Sequence, residues 1–369
     1  MSMIQEHSIT LNLNLPKGDV NAKMDIFYNP VMFSNRNVSI LLLNSLSNKN
    51  MKIADPLAGS GIRSLRFLKE LKPDKIAELH LNDNNKNFAN TIKETLKLNH
   101  IKKPTALFLH NQEASLFLNQ SKGFNYIDID PFGTPNPFLP AAVARISRHG
   151  ILAITATDTA ALTGTYPVAT KRKYWAASMK NYLMHEIGLR ILIRKVQLQG
   201  IQFDKALIPI LSYHKDHYFR IYFQSEKGKE RCDAIVKQHQ YFLFCPNCLN
   251  YKSSIYNQEA CDCKKEFQFA GPLWIGKLHS STLLQTMTKN NPFPEEQKFL
   301  DILQEESTQD ILGFYDLHEI ASKLKINPPR IEPFLKQLPA VHTHFSPNGI
   351  KTEKSIKEII KQINYLPQR

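Results

Sequence analysis

Short apolar runs alternate with helix-like segments between residue 51 and about residue 154. The apolar runs are typical of buried strands, and the segments between them repeat apolar residues at the spacing of an amphipathic helix. In order, they lie at 51–56, 62–71, 77–82, 88–98, 106–109, 126–130, 138–147 and 151–155. This alternation predicts a doubly wound α/β fold, in which helices cover both faces of a parallel sheet and ligands bind at the carboxyl ends of its strands.

The pattern of apolar positions changes after this region. A periodic segment over residues 174–198 predicts one long amphipathic helix, and two β-rich runs, 206–213 and 218–224, predict an antiparallel pair that closes the sheet. Further on, helix-like segments lie at 296–305, 317–324 and 328–338, and a hairpin-like ribbon at 341–352. Three helices followed by a hairpin predict a winged helix, a fold that often binds nucleic acid.

Charge and cysteine content narrow the class of protein. The 369 residues include 47 Lys and Arg but 33 Asp and Glu, a net charge of +14. This excess favours an anionic partner such as nucleic acid or an anionic membrane surface, although a basic proteome would give the same excess. No run of 18 apolar residues lacks a charge, so we expect neither a membrane span nor a secretory signal, and we expect a cytoplasmic protein. An odd count of 5 cysteines fits a metal site with one further thiol better than a set of disulfides.

Residues 55–63 read DPLAGSGIR and join the first apolar run to the first helix. Gly59 and Gly61 permit close backbone approach to a ligand at this strand-to-helix turn, as in nucleotide-type cofactor sites, although an ordinary tight turn would have the same pattern. Asp83 follows the next strand, where its carboxylate can accept hydrogen bonds from ribose hydroxyls. The third glycine of a dinucleotide fingerprint is missing, so S-adenosylmethionine fits this loop better than NAD.

Residues 127–133 read IDIDPFG and end the fourth strand with Asp130, Pro131 and Phe132. An acidic residue, a backbone carbonyl beside a proline and an aromatic ring at this place suit a methyltransferase that acts on an exocyclic amine. The carboxylate and the carbonyl hold the N–H donors, the carboxylate takes up the released proton, and the ring stacks on the base. Asp128 lies two positions before Asp130 and therefore faces the same side of the strand, so it is an alternative candidate. A helix-capping Asp followed by Pro would also explain Asp130 without a role in binding.

Four of the five cysteines lie close together, with Cys245 and Cys248 in CPNC and Cys261 and Cys263 in CDC. Four thiolates in two close pairs suit a tetrahedral zinc ion, which would stabilise a short segment that has no core of its own. The spacing of the second pair is tighter than usual, and a redox pair or unligated thiols are the alternatives. We expect no catalytic metal.

Taken together, these motifs resemble those of the archaeal and eukaryotic tRNA (guanine-N2)-dimethyltransferases. The resemblance covers most of the chain and rests on several further segments besides the glycine loop and the IDIDPFG run. They are FYNPV (27–31) with Asn35 and Arg36, LND (81–83), TATDTAALTG (155–164), RKY (172–174), His185 with Glu186, YHKDHYFR (213–220), GPLWIG (271–276) and THFSPNGIKT (343–352). The 213–220 run alternates basic and aromatic residues, as in a strand that binds phosphates or in a mixed surface strand.

The resemblance implies a class I methyltransferase that transfers one or two methyl groups from S-adenosylmethionine to the exocyclic N2 of a guanine at tRNA position 26. It places the cofactor against Arg36, Gly59, Gly61, Arg63, Asp83, Glu113 and Ala114. Glu113 departs from the family, where an Asp usually precedes the Ala. It places Asp130, Pro131 and Phe132 at the guanine, with Phe27 opposite Phe132.

We therefore expect an α/β chain in three parts: a class I, Rossmann-like methyltransferase domain over residues 1–235, a cysteine-rich, zinc-ribbon-like segment over 236–276, and a smaller α+β, winged-helix-like domain over 277–369 that binds tRNA. We expect a monomer with S-adenosylmethionine as methyl donor, a structural zinc ion and tRNA as its partner. The alternatives are an amino methyltransferase that acts on another nucleic acid or on protein, and a catalytically silent RNA-binding protein.

Overall fold

A seven-stranded sheet forms the centre of the protein. The computed structural model describes residues 2–13, 26–102 and 106–365. A hairpin of β1 (Ser2–Glu6) and β2 (Ile9–Leu13) precedes the sheet. The strands of the sheet are β3 (Met51–Asp55), β4 (Ile76–Asn82), β5 (Leu107–His110), β6 (Phe124–Ile129), β7 (Ile146–Ala156), β8 (Lys205–Lys215) and β9 (Tyr218–Lys227). Their order across the sheet is β5-β4-β3-β6-β7-β9-β8.

Strands β3 to β7 run parallel, and β9 and β8 continue the sheet in antiparallel pairing. This arrangement confirms both the predicted parallel sheet and the predicted closing pair. The strand order reverses between β3 and β6, because β4 and β5 lie on one side of that point and β7 on the other. At such a switch point the carboxyl ends of the central strands open a crevice, which is the usual ligand position in this class of fold.

Helices cover both faces of the sheet and enclose two hydrophobic cores. They are α1 (Phe33–Ser45), α2 (Ile62–Glu70), α3 (Phe88–Leu98), α4 (Ala114–Gln120), α5 (Leu139–Arg145), α6 (Thr159–Leu162), α7 (Pro167–Tyr174), α8 (Met184–Ile201) and α9 (Lys229–Lys237). The core on one face includes residues of α1, α2 and α3, and the core on the other includes residues of α4, α5 and α8. The neighbours Tyr126 and Ile127 of β6 belong to different cores, as strand alternation requires.

The helix predicted over residues 174–198 is wrong at its N-terminal end, because residues 175–183 are not helical and separate two helices. Helix α7 ends at Tyr174, where Trp175 adopts a left-handed conformation with a φ of 56°, and α8 begins at Met184. Helix α8 is buried on almost every side rather than amphipathic, because it packs against β8 and also against the strand at Gln268–Trp274. Since non-glycine residues rarely adopt a positive φ, the residue types give little warning of this break.

A second sheet carries the cysteine-rich segment. It consists of three antiparallel strands, β10 (His239–Phe244), β11 (Tyr251–Ser254) and β12 (Gln268–Trp274), with β10 in the middle. The predicted boundary at residue 235 falls inside α9, and the predicted boundary at residue 276 falls after β12. The division into domains stays a prediction.

The C-terminal part is a mixed α+β unit. Its elements are α10 (Ser281–Lys289), α11 (Gln297–Glu306), β13 (Tyr315–Asp316), α12 (Leu317–Leu324), α13 (Ile331–Leu335), β14 (Val341–Thr343), β15 (Ser346–Lys351) and α14 (Ile356–Tyr365). The succession from α11 to β15, with the sheet order β13-β15-β14, agrees with the predicted winged helix, although α13 is shorter than the segment predicted over 328–338. Among the helices of residues 26–102 and 106–365, none is long and apolar enough to cross a membrane.

A buried charge network joins α8 to this C-terminal unit. The Nζ of Lys351 lies 3.1 Å from Oε2 of Glu186 and 3.6 Å from Oε1 of Glu306. Arg190 donates from Nε to Oε1 of Glu186 at 2.8 Å, and His344 Nδ1 lies against Glu306. Because two carboxylates and two cations balance, the network avoids an unpaired buried charge. Two motifs of the resemblance, around residues 185 and 351, thus hold the parts of the chain together.

Candidate active site

The glycine loop lies at the carboxyl end of β3 and ends at the start of α2. Gly59 has a φ of +53°, and a Cβ at this position would lie 2.9 Å from the carbonyl oxygen of Phe27. The same oxygen accepts the N–H of Ser60 at 2.9 Å. A side chain at position 59 would therefore force the backbone of Phe27 away. The loop and the segment that carries Phe27 form one continuous wall of the crevice.

Gly61 shapes the loop from its other side. It caps α2 in a left-handed conformation with a φ of 73°. A Cβ there would lie 2.3 Å from Cδ1 of Ile92 in α3, so any side chain at position 61 would force the Ile92 side chain to move. Gly61 therefore supports the cofactor loop by letting it pack closely against Ile92.

Asp83 links the end of β4 to the glycine loop. Its Oδ2 accepts the N–H of Gly59 at 2.8 Å, and its Oδ1 accepts the N–H of Asn85 at 2.9 Å. Each carboxylate oxygen has a second lone pair, so the group can still accept hydrogen bonds from a ligand. The structure brings together the two features of the sequence that predict a cofactor site.

A cavity of about 380 Å³ opens between the glycine loop and the end of β6. Its lining includes six residues that the sequence singles out: Phe27, Gly59, Asp83, Asp130, Pro131 and Phe132. Sequence reasoning missed the other five, which are Ile26, Leu57, Asn85, Phe88 and Phe138. Four of these five, all except Asn85, have ordinary apolar side chains, and only their closeness in sequence to predicted motifs or elements could have indicated them. Gly59 and Asp83 of the predicted cofactor set thus share one cavity with the predicted acceptor residues.

The structure distinguishes the two acidic residues at the end of β6. Asp128 is fully buried and accepts two hydrogen bonds from Arg220, at 2.8 and 2.7 Å, and one from the hydroxyl of Tyr126 at 2.6 Å. Burial would raise the pKa of Asp128, but Arg220 and Arg63 outweigh burial and hold the pKa below its usual range. The side chain of Asp130 is 19% exposed and lines the cavity. Asp128 is therefore a structural ion-pair partner, and Asp130 is the carboxylate available to a ligand.

Arg63 of α2 binds the carboxylate of Asp130 from the buried side of the crevice. Its Nη2 donates to Oδ2 of Asp130, and its Nη1 donates to Oγ of Ser39 at 2.9 Å and lies 3.4 Å from Oδ2 of Asp128. The arginine is buried, and both carboxylates help to keep its charge despite that burial. One guanidinium thus connects three elements around the crevice.

Asp55, the last residue of β3, is a site residue that sequence reasoning missed. It is buried and accepts a hydrogen bond from Oγ of Ser64 at 2.8 Å. Burial, together with the nearby Asp128 and Asp130, raises the pKa of Asp55 to about 7, although Arg63 opposes the shift. The carboxyl of Asp55 therefore changes its charge near neutral pH.

Arg36 of α1 is bound to the N-terminal hairpin. Its Nε donates to Oε1 of Glu6 at 2.6 Å, its Nη2 also contacts Glu6, and Nη2 donates to the carbonyl of Asn29 at 3.1 Å. Burial would raise the pKa of Glu6, but Arg36 and Arg66 outweigh it and lower the pKa. The guanidinium predicted to bind the cofactor carboxylate is thus partly satisfied by a carboxylate of the protein.

A second, smaller cavity of about 40 Å³ adjoins the first. Both predicted arginines, Arg36 and Arg63, line it together with Asp55. It shares Phe27, Leu57 and Asp130 with the larger cavity. The two arginines and Phe132 therefore line different spaces that meet at Asp130.

Glu113 and Ala114 lie at the start of α4. The Glu113 side chain is exposed and caps the helix, since its Oε2 accepts the N–H of Leu116 at 2.8 Å. Ala114 is buried. Neither residue belongs to the lining of the two described cavities, so the structure does not bring this predicted pair together with the others.

Phe27 and Phe132 contact each other directly. Their ring centroids lie 4.2 Å apart with an interplanar angle of 66°, an edge-to-face contact. A base between two stacked rings would need roughly twice the carbon contact distance of about 3.5 Å, so no base fits between these rings as they stand. Phe132 is 46% exposed, which leaves part of its ring open to the crevice.

The four predicted zinc ligands converge on one point of the second sheet. Sγ of Cys245 lies 3.4 Å from Sγ of Cys263, Sγ of Cys248 lies 3.5 Å from Sγ of Cys261, and all four sulfur atoms lie within 4.8 Å of one another. A tetrahedral ion with bonds of about 2.3 Å separates its sulfur ligands by about 3.8 Å, close to these distances. The tight CDC spacing is accommodated by a turn in which Lys264 has a φ of 64°. The donor set fits zinc.

Comparison with known proteins agrees with this geometry. The chain is 38% identical over 383 aligned residues to the tRNA (guanine(26)-N(2)/guanine(27)-N(2))-dimethyltransferase of Aquifex aeolicus, covering 99% of this chain and 96% of the relative. It is 35% identical to the tRNA (guanine(26)-N(2))-dimethyltransferase of Methanobrevibacter smithii, covering 95% of both chains. A solved structure of Trm1 from Pyrococcus horikoshii in complex with S-adenosyl-L-methionine superimposes with a TM-score of 0.85 at 29% identity, covering 98% of this chain and 99% of that one.

The family assignment rests on nearly the whole chain. Residues 2–364 match the family model of the N2,N2-dimethylguanosine tRNA methyltransferases. The match includes the crevice, the cysteine cluster and the C-terminal unit described above. The chain belongs to the N2,N2-dimethylguanosine tRNA methyltransferase family.

Proposed function

We propose that this protein transfers methyl groups from S-adenosylmethionine to the exocyclic N2 of guanine 26 in tRNA. The observation that carries the proposal is the shared cavity: Asp130 and Phe132 line the same space as Gly59 and Asp83. A base held at the end of β6 therefore lies next to a cofactor held at the glycine loop. Membership of the family and the named activities of its relatives support the same reaction.

The cofactor fits the glycine side of the crevice. The backbone cradle at Gly59 has no room for a Cβ, and Asp83 directs a carboxylate into the cavity, where it can accept hydrogen bonds from ribose hydroxyls. Arg36 and Arg63 line the adjoining space and bring positive charge to the carboxylate of the methionine moiety, with the donors that Glu6, Ser39 and Asp130 leave free. When bound, S-adenosylmethionine supplies a methyl group that its sulfonium has already activated.

Asp130 is the group that orients the acceptor. The lone pair of a guanine N2 is delocalised into the ring, so the amine must be held with the nitrogen directed at the methyl group. Asp130 accepts one N–H, and a backbone carbonyl beside Pro131 accepts the other. As the nitrogen–methyl bond forms and the sulfur–methyl bond breaks, the nitrogen loses a proton, which Asp130 accepts and passes to water.

Phe132 holds the plane of the base. Its exposed ring provides a stacking surface, and Phe27 supports this ring edge-on. Because guanine 26 lies in a structured part of tRNA, the base must leave its stack to reach this cavity. The net charge of +14 provides the attraction for the phosphate backbone.

Two further parts of the proposal concern the state of the protein. The four clustered cysteines bind one structural zinc ion, because their sulfur atoms already approximate a tetrahedral set. The protein acts as a cytoplasmic monomer. A solution mass of one chain by light scattering supports the monomer, and a stable dimer contradicts it.

The reaction is tested with unmodified tRNA transcripts and labelled S-adenosylmethionine. Mass spectrometry of the digested product should show N2-methylguanosine and N2,N2-dimethylguanosine, and a transcript with adenine at position 26 should lose both. Product that persists there but disappears when position 27 is also changed would place a second acceptor beside the first. A protein that binds the cofactor but methylates no guanine of tRNA would overturn the proposal.

A further inference from the structure

One face of α7 is exposed to solvent and combines apolar and basic side chains. Val168, Lys171 and Arg172 follow the spacing i, i+3 and i+4, and therefore share one face of the helix. Trp175 directly follows the helix, and Nζ of Lys195 lies 3.0 Å from the centroid of its ring. Val168, Lys171, Arg172 and Trp175 are all exposed, Val168 by 73% and Trp175 by 53%. Tyr166, 62% exposed, precedes the helix. We call these five residues the α7 face.

The α7 face is fixed relative to the acceptor side of the cavity. Asn136 donates from Nδ2 to the carbonyl of Lys173 at 2.9 Å, and the hydroxyl of buried Tyr174 donates to Oγ1 of Thr134 at 3.1 Å. Thr134 and Asn136 belong to the loop that carries Phe132. Helix α7 is therefore bound to the loop that carries Phe132, close to the acceptor side of the cavity.

The charges on this face are free to meet a polyanion. Lys173 contacts Oδ2 of Asp158 at 2.9 Å, and so neutralises the nearby carboxylate. Within the residues that the structure describes, neither Lys171 nor Arg172 forms an ion pair with an acidic side chain. Exposed apolar and aromatic surface next to unpaired cations differs from an ordinary solvated helix face, and is typical of sites that combine phosphate contacts with base stacking.

We propose that the α7 face binds the tRNA strand next to the methylated guanine. Lys171 and Arg172 contact phosphates, and Tyr166 stacks on or covers a base exposed when the target leaves its helix. This inference rests on the proposed function, because it assigns a surface to the same substrate. It adds a role for the RKY motif, which the account of the cavity does not explain.

The test compares the double variant K171Q/R172Q with the parent protein in binding to unmodified tRNA over a salt series. Loss of two phosphate contacts should weaken binding roughly tenfold and reduce the slope of log affinity against log salt by about 2. The affinity for S-adenosylmethionine and the melting temperature should not change, because both side chains are exposed. Tyr166→Ala should weaken binding without changing the salt slope.

A matched control removes one lysine and one arginine charge at the amino ends of the central strands, opposite the crevice. Lys122 and Arg148 are exposed where β6 and β7 begin, away from the crevice. The variant K122Q/R148Q should keep the parent's affinity and salt slope. An unchanged slope in K171Q/R172Q, or an equal loss in both double variants, would overturn the inference.

Methyl transfer by the parent protein, measured in the same preparation, separates this inference from the proposed function. Transfer by the parent together with unchanged tRNA binding by K171Q/R172Q overturns the α7 face alone. Loss of tRNA binding in K171Q/R172Q, with no transfer by the parent to any tRNA, supports the surface and overturns the reaction. If the face instead binds a protein, tRNA affinity will be the same in the parent and in both double variants, which also overturns the inference.

Discussion

The guanidinium of Arg63 donates a hydrogen bond to the carboxylate of Asp130, where the two cavities of the crevice meet. The residue assigned to the cofactor thus holds the residue assigned to the acceptor amine. Arg63 also lies 3.4 Å from Asp128, whose own charge is satisfied by Arg220. A change at position 63 therefore affects both halves of the reaction.

We expect Arg63→Lys to weaken the cofactor affinity about tenfold, since lysine keeps the charge but has too few directed donors to hold Ser39 and Asp130 and also bind the cofactor. Isothermal titration with S-adenosylhomocysteine measures this affinity without turnover, and thermal melting reports whether the fold survives. An unchanged affinity in a folded variant would show that Arg63 serves only its neighbouring carboxylates.

The glycine loop gives a prediction about stability. Gly61→Ala places a Cβ 2.3 Å from Ile92 at a φ of +73°, and we expect a loss of about 3 kcal/mol in the free energy of unfolding, with weaker cofactor binding. Gly133→Ala is the matched control, because Gly133 has a φ of +74° but nothing within 4 Å of its added Cβ. Denaturant unfolding of both variants isolates the clash. Equal losses would mean that only backbone strain matters at position 61.

The sequence indicates the site well where the chemistry is local to one strand end. The glycine loop, Asp83 and the Asp130 motif each follow an apolar run directly, so the fold class places them together. Ion pairs between residues far apart in the chain could not be predicted. Arg36 binds Glu6 and Arg220 binds Asp128 through contacts that no sequence spacing indicates.

The 213–220 run illustrates the limit of pattern reading. Tyr213, Tyr218 and Arg220 are buried, so neither interpretation of the run, a phosphate-binding strand or a mixed surface strand, holds for these residues. A buried strand with paired polar groups and a surface strand show the same alternation, and only tertiary contacts separate them. The start of the long helix is a similar case, since periodicity predicts a helix from residue 174, whereas α7 ends there and α8 begins only at Met184.

Stability should fall steeply in mild acid. Burial, together with the nearby His185, His344 and His217, lowers the pKa of His214 to about 3. The pKa of a histidine in the unfolded chain is about 6.5. Between these values the unfolded chain binds a proton that the folded chain does not, so stability decreases as pH falls from about 6.5 toward 3, by about 1.4 kcal/mol per pH unit for this group.

Urea unfolding at several pH values tests this dependence. His214→Gln should reduce the slope of the unfolding free energy against pH, below pH 6.5, by roughly the contribution of one bound proton. The same change at exposed His318 serves as the matched control. A parent protein whose unfolding midpoint is constant between pH 7 and pH 4 would contradict the assignment of His214 as a buried neutral side chain.

The cysteine cluster predicts one zinc ion per chain in protein purified without chelators. Cys248→Ser should lose the metal and lower the melting temperature, because a serine hydroxyl is a poor zinc ligand. Cys232→Ala provides the control, since Cys232 lies in α9 and outside the cluster. Elemental analysis decides the matter: a metal-free parent with four reactive thiols would rule the zinc site out.

The role of Asp130 is the central claim, and single-turnover methyl transfer to unmodified tRNA tests it most directly. Asp130→Asn keeps the size of the side chain but removes its charge, and Asp301→Asn makes the same change on the exposed surface of α11. We predict that Asp130→Asn slows transfer at least about 100-fold while cofactor affinity stays within about threefold of the parent, and that Asp301→Asn transfers at the parent's rate. Transfer at the parent's rate by Asp130→Asn would contradict the account.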